Sequence, residues 1–484
     1  IAEISLFPTF IIEHFKYMQR QIQKIFFTFL VFFFSFWLQA KQNELCSSAY
    51  ESVPALNKKA ITTDWPRFNG AYDNASSTET HLLKDWKNDQ PETLWEIAKG
   101  EGYASPAVSQ GILVLFHRKE GMESIEGLNS ETGQMLWSYK YPVAYRDRYG
   151  YSNGPRASPV INGDFVYAHG VTSWLSCIHL KTGKLIWQRD LKSEFTIPDY
   201  FFGKGSNPII YENYLIINVG GSDNRCVIAF NKLSGKTEWI CEDTWGASYS
   251  SPVITKIQDR MVCLVLTGGE SRPPTGGLLV IDASTGEKLS RFKWRSSSYE
   301  SANAVPPVPC GDNKVFLSEC YEKGGVLLQF DKDFKPMIIW ENPKANIHWM
   351  TPVIDNGIMY GIAGRHQQGA EMFALNLKNG DFFWKEQITW EHQLNQRLIN
   401  LSLFRGSILK TEDGYICLSE LGTLLNLDLS KNGWNIRSKS QLFFAPGTWT
   451  LPALSKGLLY IMQNEADRQS GAKPRVICLN LREN

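Results

Sequence analysis

The 484-residue sequence lacks an excess of charge of either sign. Its 50 lysine and arginine residues face 49 aspartate and glutamate residues, which leaves a net charge of +1 at neutral pH. A nucleic-acid partner requires a strongly basic face, so this balance predicts no such partner. A phosphate loop is also lacking, because neither Lys-Ser nor Lys-Thr follows the glycine-rich stretch GGESRPPTGG (268–277).

Zinc-binding cysteine patterns are absent as well. The nine cysteines include no CxxC and no Cys/His spacing, so no metal site is predicted. Cys177, Cys226 and Cys478 fall in apolar strands, where we expect a buried thiol to act as a small hydrophobic group. Cys310 and Cys320 flank one predicted hairpin and could pair in an oxidising compartment.

Long apolar runs are rare, and the exception lies near the N-terminus. The run from Ile25 to Leu38 is almost wholly apolar and follows two basic residues. A run of about 7–15 residues is typical of a secretory signal, whereas a membrane-spanning helix needs about 20. We therefore expect a signal peptide at 18–40, with an uncleaved anchor as the alternative, after an upstream extension at 1–17 and before a linker at 41–60. The predicted location is periplasmic or extracellular.

What the sequence contains instead is a repeat. An apolar strand that ends in a polar residue recurs eight times, at intervals of 45 to 52 residues. The copies are IEGLN, CIHL, VIAFN, LLVID, LLQFD, MFALN, LLNLD and VICLN, which end at positions 129, 180, 231, 282, 331, 376, 428 and 480. A period of this length is typical of an array of repeated structural units.

The same turn and proline motifs flank most copies of the repeat. A tight turn such as KTG (181–183) follows the strand, because Gly supplies the positive φ that hairpin turns need. A small residue and a proline, such as SP (158–159), precede most sets of strands, as expected for a proline at the start of a strand. The seventh copy, near LINLSLF (398–404), lacks this proline.

A strand that ends in tryptophan usually follows the turn. In the fourth copy, Ser290 stands where the tryptophan is expected. We expect the tryptophans to pack between neighbouring units as structural residues, at Trp95, Trp137, Trp187, Trp239, Trp340, Trp384 and Trp434.

These features together predict an all-β propeller. Residues 154–191 contain four short strands, predicted at 157–161, 165–169, 175–180 and 184–191. Four antiparallel strands in about fifty residues form one propeller blade, so eight units predict eight blades over residues 61–484. The last unit has no fourth strand, whereas ETLWEIAKG (92–100) is a fourth strand without the first three. We therefore expect the N-terminal strand to complete the last blade and close the ring.

The repeated pattern SPV…G…VY…L…TGK..W resembles the pyrroloquinoline-quinone (PQQ) repeat. The motifs DWPRFNG, GYASP, NGPRASP, GKGSNP, SYSSPV, ANAVPPV and HWMTPV occur in this order. They are similar to those of secreted bacterial PQQ-binding-like β-propeller proteins, often grouped with the outer-membrane assembly factor BamB. The resemblance covers residues 61–484 and implies the fold more strongly than the function, because one fold hosts many functions.

The resemblance raises the question of whether PQQ binds. For quinoprotein dehydrogenases it implies PQQ above a Ca²⁺ ion held by carboxylate and amide oxygens, an Asp base, and often a vicinal disulfide. This sequence has no Cys-Cys pair, and neither the Ca²⁺ ligands nor the base can be matched to a position in it. We therefore predict no cofactor, no metal and no catalytic residue.

The loops that enter the first strand of each blade converge at the mouth of a propeller channel, which is its natural binding face. Tyr103 belongs to this mouth. We expect ligand-binding residues there at Asn153, Arg156, Lys204, Tyr249, Glu300, Asn303, His348, Arg397 and Trp449. Such a funnel suits a small anion, a sugar or an extended peptide, although each residue alone could simply satisfy a loop between blades. A candidate set for stacking on carbohydrate, with packing as the alternative, is Tyr149, Tyr151, Trp245 and Trp349.

Three functions are compatible with the sequence. The leading hypothesis is an exported, non-catalytic propeller that binds or scaffolds a protein or small-ligand partner at the cell envelope. The resemblance to BamB-like proteins implies that a partner protein binds at exposed strand edges and loops. The alternatives are a PQQ- and Ca-dependent dehydrogenase and a carbohydrate-binding propeller. Membrane contact is expected only through an uncleaved N-terminal segment.

Overall fold

The computed structural model describes residues 53–86, 90–365, 369–394 and 396–483. The predicted signal peptide or anchor at 18–40 and the extension at 1–17 lie outside these residues. In the described part of the chain, no helix has the length and apolar character needed to cross a bilayer.

The described strands form eight four-stranded antiparallel sheets and one separate hairpin, with a single short helix in the described residues. The first strand of the chain is β1 (Glu92–Ala98). Blade 1 contains β2 (Ala107–Ser109), β3 (Ile112–Lys119), β4 (Met122–Asn129) and β5 (Met135–Pro142). Blade 2 contains β6 (Val160–Asn162), β7 (Phe165–His169), β8 (Trp174–His179) and β9 (Leu185–Asp190), and helix α1 (Leu191–Phe195) follows it. Blade 3 contains β10 (Ile209–Tyr211), β11 (Tyr214–Asn218), β12 (Arg225–Asn231) and β13 (Thr237–Glu242).

The remaining blades continue in chain order. Blade 4 contains β14 (Val253–Ile257), β15 (Arg260–Thr267), β16 (Gly277–Asp282) and β17 (Lys288–Lys293). Blade 5 contains β18 (Val308–Pro309), β19 (Lys314–Glu319), β20 (Gly324–Phe330) and β21 (Pro336–Asn342). Blade 6 contains β22 (Val353–Asp355), β23 (Ile358–Ala363), β24 (Glu371–Asn376) and β25 (Phe382–Glu386). The separate hairpin is β26 (Thr389–Leu394) and β27 (Arg397–Ser402). Blade 7 contains β28 (Ser407–Thr411), β29 (Gly414–Leu418), β30 (Thr423–Ser430) and β31 (Gly433–Gln441). Blade 8 contains β32 (Ala453–Ser455), β33 (Leu458–Gln463) and β34 (Arg475–Asn480).

The predicted eight-bladed propeller and its closure are confirmed. The fourth strand of blade 8 is β1, which pairs antiparallel with β34 from Glu92 opposite Asn480 to Ala98 opposite Arg475. In blade 2 the four strands match the predicted ones: the second has the predicted bounds, and the ends of the other three shift by one to three residues. The ring is therefore completed by a strand that lies far from its partner in sequence.

Burial explains why the third strand of each blade carries the clearest repeat signal. In β12 the residues between the two ends are all buried, because neighbouring blades cover both faces of this strand. The outermost strand β13 alternates between exposed and buried residues instead. A strand buried on both faces reads as a continuous apolar run, so its pattern repeats most faithfully.

Tryptophan side chains connect neighbouring blades. The Trp137 ring of blade 1 lies on Gly183 in the turn of blade 2, and its Nε1 donates to the Leu180 carbonyl at 2.6 Å. A Cβ atom on Gly183 would lie 2.8 Å from this ring, so the turn glycine allows the ring to approach. The same contact recurs in four further pairs: Trp95 on Gly133, Trp187 on Gly235, Trp239 on Gly286 and Trp340 on Gly380.

Trp434 does not occupy the equivalent position in blade 7, contrary to the sequence-based expectation. It pairs with Leu429 near the start of β31, on the turn side of the bulge. The residue in register with the other tryptophans is Ser438, whose Oγ donates to the Lys84 carbonyl and accepts from the Trp86 amide. The indole of Trp86, in the stretch that precedes β1, is buried in the same core.

The N-terminal segment 64–80 closes one end of the channel. Trp65 forms a bridge with Val108 of blade 1, and Glu79 accepts hydrogen bonds from the backbone of Lys456 and Gly457 in blade 8. Between these contacts, the segment bonds to the first strands or adjoining loops of blades 2, 6 and 7. Apart from Thr351, which precedes β22, the contacted residues lie on first strands or at the turns after them, so the opposite end of the channel is the open mouth.

The β26–β27 hairpin explains why the seventh unit lacks its proline. The seventh copy was placed near LINLSLF (398–404), but this stretch forms β27 and the loop after it. The first strand of blade 7 is β28, and Arg405-Gly406 precede it. Arg397 consequently lies at the tip of the hairpin, where it is exposed, and not at the channel mouth.

The described cysteines are all free thiols. Cys177, Cys226 and Cys478 are buried in their strands, and burial raises the pKa of the Cys177 thiol to about 12. The Cys310 thiol donates to the Val308 carbonyl, whereas Cys320 is buried beside Ala302 and Tyr321. The structure thus contains no bond between the two cysteines that could pair.

The glycines at the blade contacts generate a test of the tryptophan interlock. A Cβ atom on Gly235 (φ +70°) would lie 2.7 Å from the Trp187 ring, whereas a Cβ atom on Gly163 (φ +58°) would have nothing within 4 Å. Both Gly→Ala changes carry a backbone cost of about 1–2 kcal/mol, and Gly235→Ala adds about 1–3 kcal/mol of steric overlap. Urea unfolding followed by fluorescence is expected to give the larger loss for Gly235→Ala. Equal losses of unfolding free energy in the two variants would show that the Trp187 ring leaves room for a side chain at Gly235.

Lys99, which follows the closing strand β1, generates a second test. Its buried ammonium donates to the Gly102 carbonyl and to Asn464 Oδ1, both at 3.1 Å, and burial lowers its pKa from 10.5 to about 7. Between pH 7 and 10.5 the unfolded chain therefore binds more protons, and this residue makes stability rise with pH by at most about 1.4 kcal/mol per unit.

Unfolding free energies of wild type and Lys99→Met, measured from pH 7 to 10, check this contribution. We expect the advantage of wild type over the variant to grow with pH across this window. Lys181→Met, at an exposed turn, serves as the control and leaves the wild-type pH dependence in place. Parallel curves for wild type and Lys99→Met would mean that Lys99 stays charged in the folded protein.

Candidate functional site

The open end of the channel forms a funnel of about 360 Å³. This volume lies within the range of about 300–1,000 Å³ that is typical of small-molecule sites. Phe68 of the N-terminal segment lines it, so the funnel is a blind pocket in place of an open pore. Its walls are formed by Tyr103, Tyr151, Arg156, Phe202, Gly205, Asn207, Tyr249, Ser251, Ala302, Ala304, Tyr321, His348, Trp349, Arg365, Arg405 and Trp449.

Aromatic rings form a continuous belt around the funnel. Trp449 lies at its centre, with ring centroids 5.1 Å from Trp349, 5.1 Å from Tyr103 and 5.6 Å from Tyr151. The belt continues on both sides through closely spaced rings, namely Phe202 and Tyr249 on one side and His348 and Tyr321 on the other. The wall therefore presents mainly ring faces and edges to a ligand.

Three arginines are stacked on this belt. The Arg405 guanidinium carbon lies 4.8 Å from the Trp349 ring centroid and 5.2 Å from that of Trp449. The Arg365 guanidinium lies 4.4 Å from the Tyr321 ring centroid, and that of Arg156 lies 5.9 Å from the Tyr103 ring centroid. Cation–π attraction holds each guanidinium against its ring. The N–H groups of Arg156 and Arg405 donate to carboxylates and backbone carbonyls. No hydrogen bond from the Arg365 guanidinium occurs among those of the described residues, so its N–H groups remain for a ligand.

Carboxylates stand behind the wall and hold the wall residues in place. Glu420 is almost wholly buried, forms a salt bridge with Arg405 at 2.5 Å and accepts from Trp449 Nε1 at 2.9 Å. Asp147 pairs with Arg156 at 2.6 Å. Among the described residues that line the funnel, none is an aspartate or a glutamate.

Tyr249 and Tyr321 of the funnel act as neutral hydroxyl groups. Burial, together with the Glu270 carboxylate that accepts its proton at 2.6 Å, raises the pKa of Tyr249 well above its ordinary value. Burial likewise raises the pKa of Tyr321 to about 12. At neutral pH these side chains can donate hydrogen bonds but cannot serve as phenolate bases.

Five residues expected from the sequence at the mouth line the funnel. Tyr103, Arg156, Tyr249, His348 and Trp449 all belong to its wall. Of the candidate set for stacking on carbohydrate, Tyr151 and Trp349 also line the wall. Tyr149 instead packs on Phe201 and Phe202, and Trp245 is buried beneath Arg291.

The other expected mouth residues lie elsewhere. Asn153 stabilises a loop, since its side chain accepts a hydrogen bond from the Asp147 amide and donates one to Glu101. Asn303 is buried and accepts from Ser301. Glu300 is exposed, and its side chain accepts from Ser298.

Lys204 faces away from the funnel. It lines a separate cavity of about 210 Å³, and its Nζ lies 3.9 Å from the centroid of the Tyr200 ring and donates to the Val219 carbonyl. Burial lowers its pKa well below the ordinary value for a lysine.

The sequence-based list missed Arg405, Arg365, Phe202 and Tyr321. Arg405 was missed because the inserted hairpin shifts the start of blade 7, so Arg397 was placed at the mouth in its stead. Arg365 and Tyr321 come from the loops between second and third strands, which reach the same end of the channel as the loops that enter the first strands. Considering both loop classes would have found them.

The residues present do not fit the Ca²⁺ site of a quinoprotein. A hard cation needs several carboxylate or amide oxygens that converge. The carboxylates nearest to the wall serve other groups: Asp147 and Glu420 pair with arginines, and Glu270 holds Tyr249. Within the described residues, no cluster of three or more His, Cys, Asp or Glu could hold a metal ion.

Known proteins with related sequences fall into two groups. Outer membrane protein assembly factor BamB of Yersinia pestis is 24% identical over 304 residues, which cover 59% of this chain and 70% of that protein. The dehydrogenase subunit of alcohol dehydrogenase (quinone) of Acetobacter aceti is 23% identical over 278 residues, or 52% of this chain. That match spans only 36% of the length of the dehydrogenase subunit.

Solved structures share the architecture. The crystal structure of quinohemoprotein alcohol dehydrogenase from Comamonas testosteroni has a TM-score of 0.57 at 13% identity, and covers 87% of this chain and 81% of that one. At this identity the likeness establishes the fold alone.

The model of one protein family matches most of the propeller. This family is described as outer membrane protein assembly factor BamB, and it matches residues 74–195 and 121–386. The two matches together cover more than half of the chain and run from the N-terminal segment into blade 6. The chain belongs to the family of outer membrane protein assembly factor BamB, as the repeat pattern indicated.

Proposed function

We propose that this chain is an exported, non-catalytic propeller of the cell envelope that binds its ligand in the funnel. The observation that carries this proposal is the placement of the carboxylates. The acids near the wall hold Arg156, Arg405 and Tyr249, so the wall offers neither a carboxylate base nor a set of oxygen ligands for Ca²⁺. The wall offers ring faces and guanidinium groups, which recognise a ligand without transforming it.

Membership of the BamB family supports a binding role in preference to catalysis. The Yersinia pestis relative is named as an assembly factor for outer membrane proteins, and the match covers 70% of it. The Acetobacter aceti relative is named as a dehydrogenase subunit, and the match covers 36% of it. We therefore place a protein partner at the envelope alongside the ligand of the funnel.

The outer strand of blade 5 supports such a protein partner. Three consecutive apolar side chains on β21 are about half exposed, namely Met337, Ile338 and Ile339. The outermost strand of a blade also leaves backbone N–H and C=O groups open for pairing with a strand of another chain. Blade 5 thus offers a surface that is separate from the funnel.

The proposed absence of quinone catalysis can be tested directly. The purified protein is dialysed against PQQ with and without Ca²⁺ and then assayed for dye reduction driven by alcohols or aldoses. We expect no stoichiometric, Ca²⁺-dependent binding and no turnover, because the described residues bring no set of oxygen ligands together at the funnel. An authentic quinoprotein dehydrogenase, reconstituted in parallel, verifies that the assay detects the activity.

Binding of one PQQ per chain with Ca²⁺-dependent turnover would overturn the proposal. In that case, the variant Glu420→Gln would locate the site. Loss of turnover in this variant would mean that the carboxylate leaves Arg405 and becomes a ligand or a base in the loaded protein.

A further inference from the structure

We propose that the ligand of the funnel is a sugar acid, that is, a pyranose ring that carries a carboxylate, as in a uronate residue of an oligosaccharide. This inference rests on the proposed function, because it specifies the ligand class of the same funnel. Three features of the wall support it: the pairing of its arginines, the tilt of its rings and the hydroxyl groups at its base.

One of the three wall arginines is not committed to a carboxylate of the protein. Asp147 neutralises Arg156, and Glu420 neutralises Arg405, each through a short salt bridge. Arg365 lines the same wall and forms no salt bridge with any carboxylate of the described residues. Arg365 is therefore the wall arginine that is not paired with a carboxylate of the described residues, which favours a ligand that carries a carboxylate.

The position of Arg365 suits a carboxylate. Its guanidinium lies over the Tyr321 ring, whose centroid is 5.8 Å from that of His348. Its N–H groups make no hydrogen bond among those of the described residues, so they can form a bidentate pair with a carboxylate. Trp349 and Trp449 follow His348 along the belt, so a ring attached to this carboxylate meets the tryptophan faces.

The tilt of the rings favours a puckered ligand ring over a flat one. The interplanar angles are 48° for Trp349 and Trp449, 58° for Tyr151 and Trp449, and 38° for Tyr103 and Trp449. A flat aromatic acid would need two parallel faces to stack in full contact. A pyranose carries C–H groups that point in several directions, so it can contact several tilted faces at once.

Polar groups at the base of the wall suit sugar hydroxyls. The Ser251 hydroxyl accepts from both the amide and the side chain of Asn207, at 3.1 and 2.8 Å. Its own proton is then available to donate, since no acceptor for it occurs among the hydrogen bonds of the described residues. The neutral Tyr103 hydroxyl lines the same cavity.

Calorimetric titration of the purified full-length chain tests the ligand class. The probes are digalacturonate, the uncharged digalactose and the flat acid 2-naphthoate. We expect digalacturonate to bind about tenfold more tightly than digalactose, because a charge-assisted pair contributes roughly one such factor. We expect 2-naphthoate to bind more weakly than digalacturonate.

Two arginine variants separate the specific pair from general electrostatics. Arg365→Ala should weaken digalacturonate about tenfold and leave digalactose unchanged. Arg397→Ala removes the same charge at the exposed tip of the β26–β27 hairpin, and we expect it to change neither affinity. Trp349→Ala should weaken both sugars, because it removes a stacking face without removing charge.

The outcomes that overturn the inference are distinct from those that overturn the proposed function. Equal affinity for both sugars, or no effect of Arg365→Ala, would remove the carboxylate from the ligand class. Tighter, Arg365-dependent binding of 2-naphthoate would assign the funnel to flat aromatic acids. Absence of binding by digalacturonate at millimolar concentration would exclude sugar acids. None of these results would produce dye reduction with PQQ and Ca²⁺, which alone refutes the non-catalytic role.

Discussion

The antiparallel pairing of β1 with β34 is the constraint on which the rest of the molecule depends. It joins residues that are nearly 400 positions apart in sequence, from Glu92 opposite Asn480 to Ala98 opposite Arg475. Without it, blade 8 would present an open strand edge and the ring could expand. Closure of the ring sets the diameter of the channel, and this diameter brings loops from different blades close enough to form one funnel.

The blades also interlock through a single recurring contact, a tryptophan ring on a turn glycine. Between blades 6 and 7 the tryptophan is kept, as Trp384, but a Cβ atom on the turn glycine Gly433 would have nothing within 4 Å. At two further interfaces the tryptophan itself is replaced. Between blades 4 and 5, Ser290 replaces the tryptophan, and Phe334 from the next turn packs against the core that the two blades share. Between blades 7 and 8, Ser438 takes the position and Trp86 arrives from the N-terminal segment. The apolar volume is supplied in each case from another part of the chain, because a void between blades would be destabilising.

The funnel combines two kinds of support that act on the same side chains. Carboxylates behind the wall pair with Arg156 and Arg405, and aromatic rings lie within cation–π distance of the same guanidinium groups. Glu420 holds both Arg405 and Trp449, so one buried group positions a cation and an aromatic face together. Such preorganisation lowers the entropy cost of ligand binding, because few side chains have to be ordered when the ligand arrives.

The sequence by itself determined the repeat, the number of blades and the closing strand, because these follow from local patterns: an apolar strand buried on both faces, a glycine turn and a proline start. It also placed Arg156, Tyr249, His348 and Trp449 at the mouth, since these residues immediately precede first strands. Only the tertiary structure decided that Arg405 and not Arg397 completes the wall, that Trp86 and not Trp434 fills the last blade interface, and that Phe68 lines a channel closed by its own segment. These outcomes depend on contacts between residues far apart in sequence, and no local periodicity records which distant segment fills a given space.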